Sequence, residues 1–96
     1  MKKILWNIDK DKILIEGRKI SFGIIAEIII KDDILTIINH PNSKKYPNQK
    51  IFVVQIIDYI YLIPFVEDED KIFLKTIIPS RKATRDYLIK KSKIKK

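Results

Sequence analysis

The chain contains no cysteine, which excludes a disulfide framework and thiolate metal ligation, and its one histidine, His40, cannot supply the cluster a zinc site needs. Glycine is nearly as scarce. With only Gly17 and Gly23 there is no glycine-rich phosphate loop and no nucleophile elbow, so the usual scaffolds of nucleotide hydrolysis and acyl transfer are missing. Long apolar runs are absent too: the longest candidate, Ile24 to Ile30, is interrupted by Glu27 and falls well short of the roughly 20 residues that cross a bilayer. Met1-Lys2-Lys3 before Ile4-Leu5-Trp6 imitates the start of a signal peptide, but charge returns between Asp9 and Lys12 before an apolar segment can form. These absences predict a cytoplasmic protein with no membrane partner, no cofactor and no resident metal.

What is present is isoleucine and lysine. Hydrophobic residues make up 46% of the 96 positions and charged residues 33%, which predicts one folded domain over residues 1–96, built on one core. The net charge of +8 is unevenly spread. Between Ser80 and Lys96 eight lysines and arginines stand against Asp86 alone, a local +7, so the preceding 79 residues carry only +1. A segregated basic end is the footprint of a protein that meets a polyanion, unless its last residues, about 90–96, are simply a solvated and frayed tail.

The pattern along the chain predicts an α+β fold in the order β-α-α-β-β-β-β-α: two N-terminal helices and a C-terminal helix packed on a small antiparallel sheet. Ile4-Leu5-Trp6 suits a short strand, Asp9 and Asp11 suit the first turn of a helix, and Gly17 is placed to end it. A strand through Ile13 and Ile15 is the alternative there. Ser21 is the clearest cap, flanked by Ile20 and Ile25 at the spacing of a hydrophobic staple, and opens a helix from Phe22 to about Lys31. Strands follow at Ile34–Ile38, Lys50–Ile57, Tyr59–Val66 and Lys71–Ile78, with a long hairpin loop through Pro41–Asn48. Pro64 argues for an edge or a bulge in its strand. The last helix starts at Ser80 or at Thr84.

Candidate functional residues gather around Pro79-Ser80-Arg81-Lys82-Ala83-Thr84-Arg85. Three cations at a helix entrance oppose the helix dipole, and a violated local rule is commonest at functional sites. Arg81, Lys82 and Arg85 are suited to bind phosphate, and Lys90 extends the basic run. Arg18 and Lys19, between the first two helices, join this surface if those helices pack beside the sheet end. Lys75, read as sharing a strand face with Phe73 and Ile77, either snorkels at an edge or is placed for function. His40 has the only unperturbed pKa near neutrality and is the natural proton-transfer candidate, unless it is merely exposed at the mouth of a turn. Tyr59 and Tyr61 share a strand face, either to stack bases or as half-buried sheet residues. Ala83, Tyr87 and Ile94 make too thin an apolar face for a membrane-surface helix.

Two stretches resemble the BrnT family of toxins, whose fold belongs with the RelE-like ribonucleases. Trp6, Lys10, Ile15, Ser21 and Phe22 look like the family's W-D, its helical Lys and its V-S-F entrance to the second helix. Ser80-Arg81-Lys82-Ala83-Thr84-Arg85 resembles the signature A-R-K-A-T-R at the opening of the last helix. Arg18 stands where the family commonly has His, and Tyr87 where it favours Glu. The resemblance implies the toxin of a bacterial type II toxin-antitoxin system: a metal-independent endoribonuclease cleaving RNA, free or on the ribosome, by attack of the 2′-hydroxyl on the adjacent phosphate. Its partner would be a small antitoxin, often a ribbon-helix-helix DNA-binding protein. With Arg18 replacing the family His, catalysis would rest on Arg81, Lys82, Arg18 and His40, and RNA binding on Lys19, Lys75, Arg85, Lys90 and Tyr59. The alternative is a non-catalytic nucleic-acid-binding or degenerate toxin-like interaction protein.

Overall fold

The computed structural model describes residues 2–89; the expected frayed segment 90–96, with Lys90, lies outside the described residues. After β1 (Lys3–Trp6) the chain enters α1 (Ile8–Arg18), where Asn7 accepts the Lys10 N–H at 2.9 Å. Asp9 and Asp11 in the first turn and Arg18 in the last suit the helix dipole. Little else holds α1, since Leu14 is its one buried residue while Ile8 and Ile13 are exposed. Asp11 therefore matters: its Oδ1 accepts the Phe22 N–H at 2.8 Å, tying α1 to the start of α2 (Phe22–Ile30) and satisfying one of the amides a helix start leaves open. The expectation that Gly17 ends α1 is corrected. The helix runs through Gly17 and stops at Lys19, which takes a left-handed conformation (φ 55°, ψ 35°) and donates its N–H to the Ile15 carbonyl.

Ser21 caps α2 by accepting the Ile24 N–H at 3.3 Å, and the staple residues Ile20 and Ile25 are both buried. α2 closes at Asp32 (φ 58°), and β2 (Thr36–Asn39) follows, two residues later than expected. β3 (Gln49–Ile56) and β4 (Tyr59–Glu67) form a hairpin joined by Ile57 and Asp58 alone. Then come β5 (Lys71–Leu74), β6 (Ile78–Pro79), α3 (Arg81–Thr84) and a π-helical turn, Arg85–Ile89.

The fold is α+β, but the expectation of an antiparallel sheet needs correction, because the sheet is mixed. Its order is β1-β5-β4-β3-β2, with β6 also on β4; the meander from β2 to β5 is antiparallel, whereas β1 lies parallel to β5 from Lys3↔Lys71 to Trp6↔Leu74. The two helices between β1 and β2 carry the chain over one sheet face to the far edge. The meander then returns until β5 meets β1 running the same way.

The single strand expected over Lys71–Ile78 is broken at Lys75–Ile77. Pro64 supplies the reason. The expectation of an edge or a bulge in its strand is corrected: Pro64 sits in a central strand paired in regular register. Its carbonyl accepts the Lys75 N–H at 2.8 Å, so its ring nitrogen, which has no hydrogen to donate, faces the same side, and the ladder cannot continue there. The core lies between the sheet and the two helices: Leu14, Ile20, Phe22 and Ile25 meet Phe52, Val54, Ile63, Phe65, Leu74 and Ile77. Phe52 and Phe65 stack at 3.9 Å between ring centroids, and Trp6 stacks on Phe22 at 6.0 Å.

Candidate nucleic-acid interface

The β3–β4 hairpin tip marks one end of the sheet, and the α1–α2 elbow packs beside it. Arg18, the last residue of α1, and its C-cap Lys19 line an open groove of about 370 Å³ with Ile20, Ile24, Ile56, Ile57, Asp58, Tyr59 and Tyr61. The rings of Tyr59 and Tyr61 meet edge to face at 5.7 Å, and both residues are half-buried. Arg18 also borders a second groove, lined by Ile13, Leu14, Gly17, Thr76, Ile77 and Ile78. The structure thus brings Arg18, Lys19 and Tyr59 to one groove, which no residue of the Ser80–Arg85 corner lines.

The Ser80 corner is built onto the same end of β4. Tyr61 pairs with Pro79, and beyond that point β6 stops, which would leave the backbone of Ile60 unpaired. The corner supplies both partners: Ser80 N–H donates to the Ile60 carbonyl at 3.0 Å, and Thr84 Oγ1 accepts the Ile60 N–H at 2.9 Å while donating to the Ser80 carbonyl at 2.7 Å. Of the two candidate caps, Ser80 is the one used, accepting the Ala83 N–H at 3.1 Å. Thr84 is instead the clamp that fixes α3 to β4. Arg81 and Lys82 project from this corner, both exposed, and Arg85 follows with a loose contact to Asp86 at 3.9 Å. No carboxylate among the described residues lies at ion-pair distance from Arg18, Lys19, Arg81 or Lys82.

His40 and Lys75 do not join this assembly. His40 follows β2 opposite Gln49, at the far end of eight-residue β3 and about 25 Å from the hairpin tip at the strand rise per residue. Its Nδ1 accepts the Asn42 N–H at 3.0 Å and its ring lies 4.6 Å from that of Tyr46, so it organises its own loop. Lys75 leaves the strand that was expected to hold it. It is exposed while Ile77 is buried, and its ammonium lies 6.0 Å from the centre of the Phe73 ring.

Ile57 is the functional candidate that sequence reasoning passed over. It is 84% exposed at the groove rim and holds φ 57°, a conformation costly for a β-branched residue. Among the described residues, two of the three non-glycine positions with positive φ, Lys19 and Ile57, therefore line one groove, and strain of this kind concentrates at functional sites. A signal was present in the sequence: a two-residue strand junction without Gly or Asn breaks the usual hairpin chemistry.

The opposite end of the sheet holds two acids with partners, Glu67 and Asp68. Lys2 donates to Glu67 at 2.8 Å and chiefly this bond, helped by Lys50 at 3.7 Å, holds the Glu67 carboxyl below its ordinary pKa against partial burial. Asp68 is lowered as well, by the N–H groups of Asp70 and Lys71 at 2.8 and 2.9 Å. Among the described residues no three His, Cys, Asp or Glu side chains gather as metal ligands, and no helix is long and apolar enough to cross a membrane. Compared with known proteins, the chain matches no family model, no curated sequence and no solved structure.

Proposed function

We propose that this protein binds and cleaves RNA as the cytoplasmic toxin of a bacterial toxin-antitoxin pair, and that its fold is of the RelE-like kind which its terminal motifs resemble. The observation that carries the reading is the groove uniting Arg18 and Lys19 with Tyr59 and Tyr61, one strand position from the Ser80–Thr84 corner. Cations and aromatic rings side by side are what a single RNA strand requires: guanidinium groups for phosphate, rings for an unstacked base. Arg18, Arg81 and Lys82 would stabilise the doubly charged phosphate as the substrate 2′-hydroxyl attacks it, loses its proton and expels the 5′-oxygen, which is protonated in turn. The product is a cyclic phosphate, and no metal is required. An antitoxin presenting an acidic segment would neutralise the same surface.

A second reading, RNA binding without cleavage, is favoured by one observation: the only histidine lies at the other end of the sheet from these cations. RNA incubated with the protein in EDTA separates the two. Fragments ending in cyclic phosphate, with growth arrest on expression, are the expected result, and binding should weaken steeply with salt. Tyr59→Ala should lower RNA affinity by about tenfold, the scale of one lost stacking contact. Salt-sensitive binding with intact RNA would select the second reading, and absence of both binding and growth arrest would sink the proposal.

A further inference from the structure

Among the described residues the sheet has two open edges, both short, and only one carries a charge. At one edge β1 carries the exposed Lys3, a charge of the kind that keeps edge strands from pairing. At the other, β2 has no charged residue from Ile34 to Asn39, and Ile37 and Ile38, on opposite faces, are 47% and 39% exposed. Such an edge is a template for another strand.

The flanks of β2 are oppositely charged. Asp32 and Asp33 close α2, their N–H groups reaching back to Ile29 and Ile28 at 3.1 and 2.9 Å, and two carboxylates there oppose the helix dipole. Lys44 and Lys45, in the loop after β2, are exposed. None of the four forms an ion pair among the described residues.

We propose that β2 is the edge through which two copies of this chain associate, antiparallel about a twofold axis at Ile38, extending the sheet across both. A second copy is the partner that the charge pattern fits, because antiparallel self-pairing sets the acidic flank of each β2 against the basic flank of the other. The backbone restricts the register. His40 donates its N–H to the Gln49 carbonyl at 3.2 Å, so by antiparallel alternation Thr36, Ile38 and His40 direct their backbone groups at β3, while Ile37 and Asn39 direct theirs at the open edge. Setting Ile37 opposite the partner's Asn39 pairs these outward groups and brings Ile38 against the partner's Ile38. Centring on Ile37 would instead set Asn39 opposite the partner's Leu35, whose N–H is already donated to the Val53 carbonyl at 2.8 Å.

This inference is independent of the RNA reading, because it is tested by oligomeric state alone. The absence of cysteine makes the test direct. A facing pair without mutual hydrogen bonds has Cα atoms about 4.5 Å apart, within disulfide reach, so Ile38→Cys should give a covalent dimer on mild oxidation. Asn39→Cys, off the axis, should give far less. Sedimentation of the parent should show a concentration-dependent dimer, at least about tenfold weaker in Ile37→Lys. Asp32→Lys should weaken it too, and adding Lys44→Asp should restore it. Circular dichroism checks that each variant is folded. A parent monomeric at every concentration, equal cross-linking at 38 and 39, or a dimer indifferent to Ile37→Lys would each overturn the proposal.

Discussion

The two ends of the sheet treat their charges differently. At the end holding the β4–β5 turn, Glu67 is met by Lys2 and Lys50, Asp68 accepts from its own turn, and His40 is engaged by Asn42. Every one of these groups has a neighbour within the chain. At the end holding the β3–β4 hairpin, Arg18, Lys19, Arg81 and Lys82 face no carboxylate at pairing distance among the described residues, and Lys19 and Ile57 sit in left-handed backbone. At the first end these groups are satisfied locally, although Lys44 and Lys45 in the neighbouring loop form no ion pair among the described residues. The other keeps unneutralised cations and strained backbone beside half-buried tyrosines, which makes it the place to look for an external anion.

The largest effect that would sharpen this contrast is on catalysis. Arg81→Ala should lower RNA cleavage by about 100-fold, the scale of removing one preorganised donor from a developing negative charge, with no loss of melting temperature, because a cation at a helix start opposes the dipole. Arg81→Lys should rescue poorly, lacking the bidentate fork. His40→Ala should leave cleavage untouched and cost about 1 kcal/mol of stability by freeing the Asn42 amide. Equal loss of cleavage in both variants would erase the distinction between the ends.

A smaller effect concerns the strained tip. Ile57→Gly removes a β-branched side chain from positive φ and should raise stability by about 1 kcal/mol, or about 4–8 °C in melting temperature for a domain of this size. The groove loses an apolar rim residue at the same time, so RNA affinity should fall while stability rises. An unchanged or lower melting temperature would show that the backbone at Ile57 carries no strain.

The smallest effect belongs to the end holding the β4–β5 turn. Both lowered carboxyls, Glu67 and Asp68, contribute stability that is present above the ordinary carboxylate pKa and is lost as pH falls through their depressed folded values. Urea unfolding from neutral to acidic pH should show this decline. Lys2→Ala should make it shallower, since the Lys2 hydrogen bond is the main cause of the Glu67 shift. An identical profile in that variant would mean the pair contributes nothing, as exposed ion pairs often do.

Local chemistry was the legible part of this fold. Ser21 with its staple, Ser80 as one of the two candidate caps and the antiparallel meander follow from short-range rules, whereas Pro64 misled: its own strand is central and continuous, and the break falls on its neighbour at Lys75–Ile77. What sequence hid was set at long range. The parallel seat of β1 depends on where β5 arrives, and the split between His40 and the basic corner depends on which way β2 and β3 run. Gly17 misled because glycine is the usual left-handed helix stop; here α1 continues two residues further and the left-handed position falls on Lys19. A methyl group at Gly17 would meet nothing within 4 Å, so no close packing demands that glycine.

The parallel seat of β1 also sets an order of events. Lys3 can find its ladder partner only when Lys71 is in place, and Trp6 only when Leu74 is, so the first strand of the chain must wait, unpaired, while the hairpin from β3 to β4 closes through two residues. Contacts between distant parts of a chain slow folding because their loops must close before they are rewarded. The strand that opens the sequence is therefore expected to complete its ladder late, and pulse-labelling hydrogen exchange should show its amides protected after those of β3 and β4.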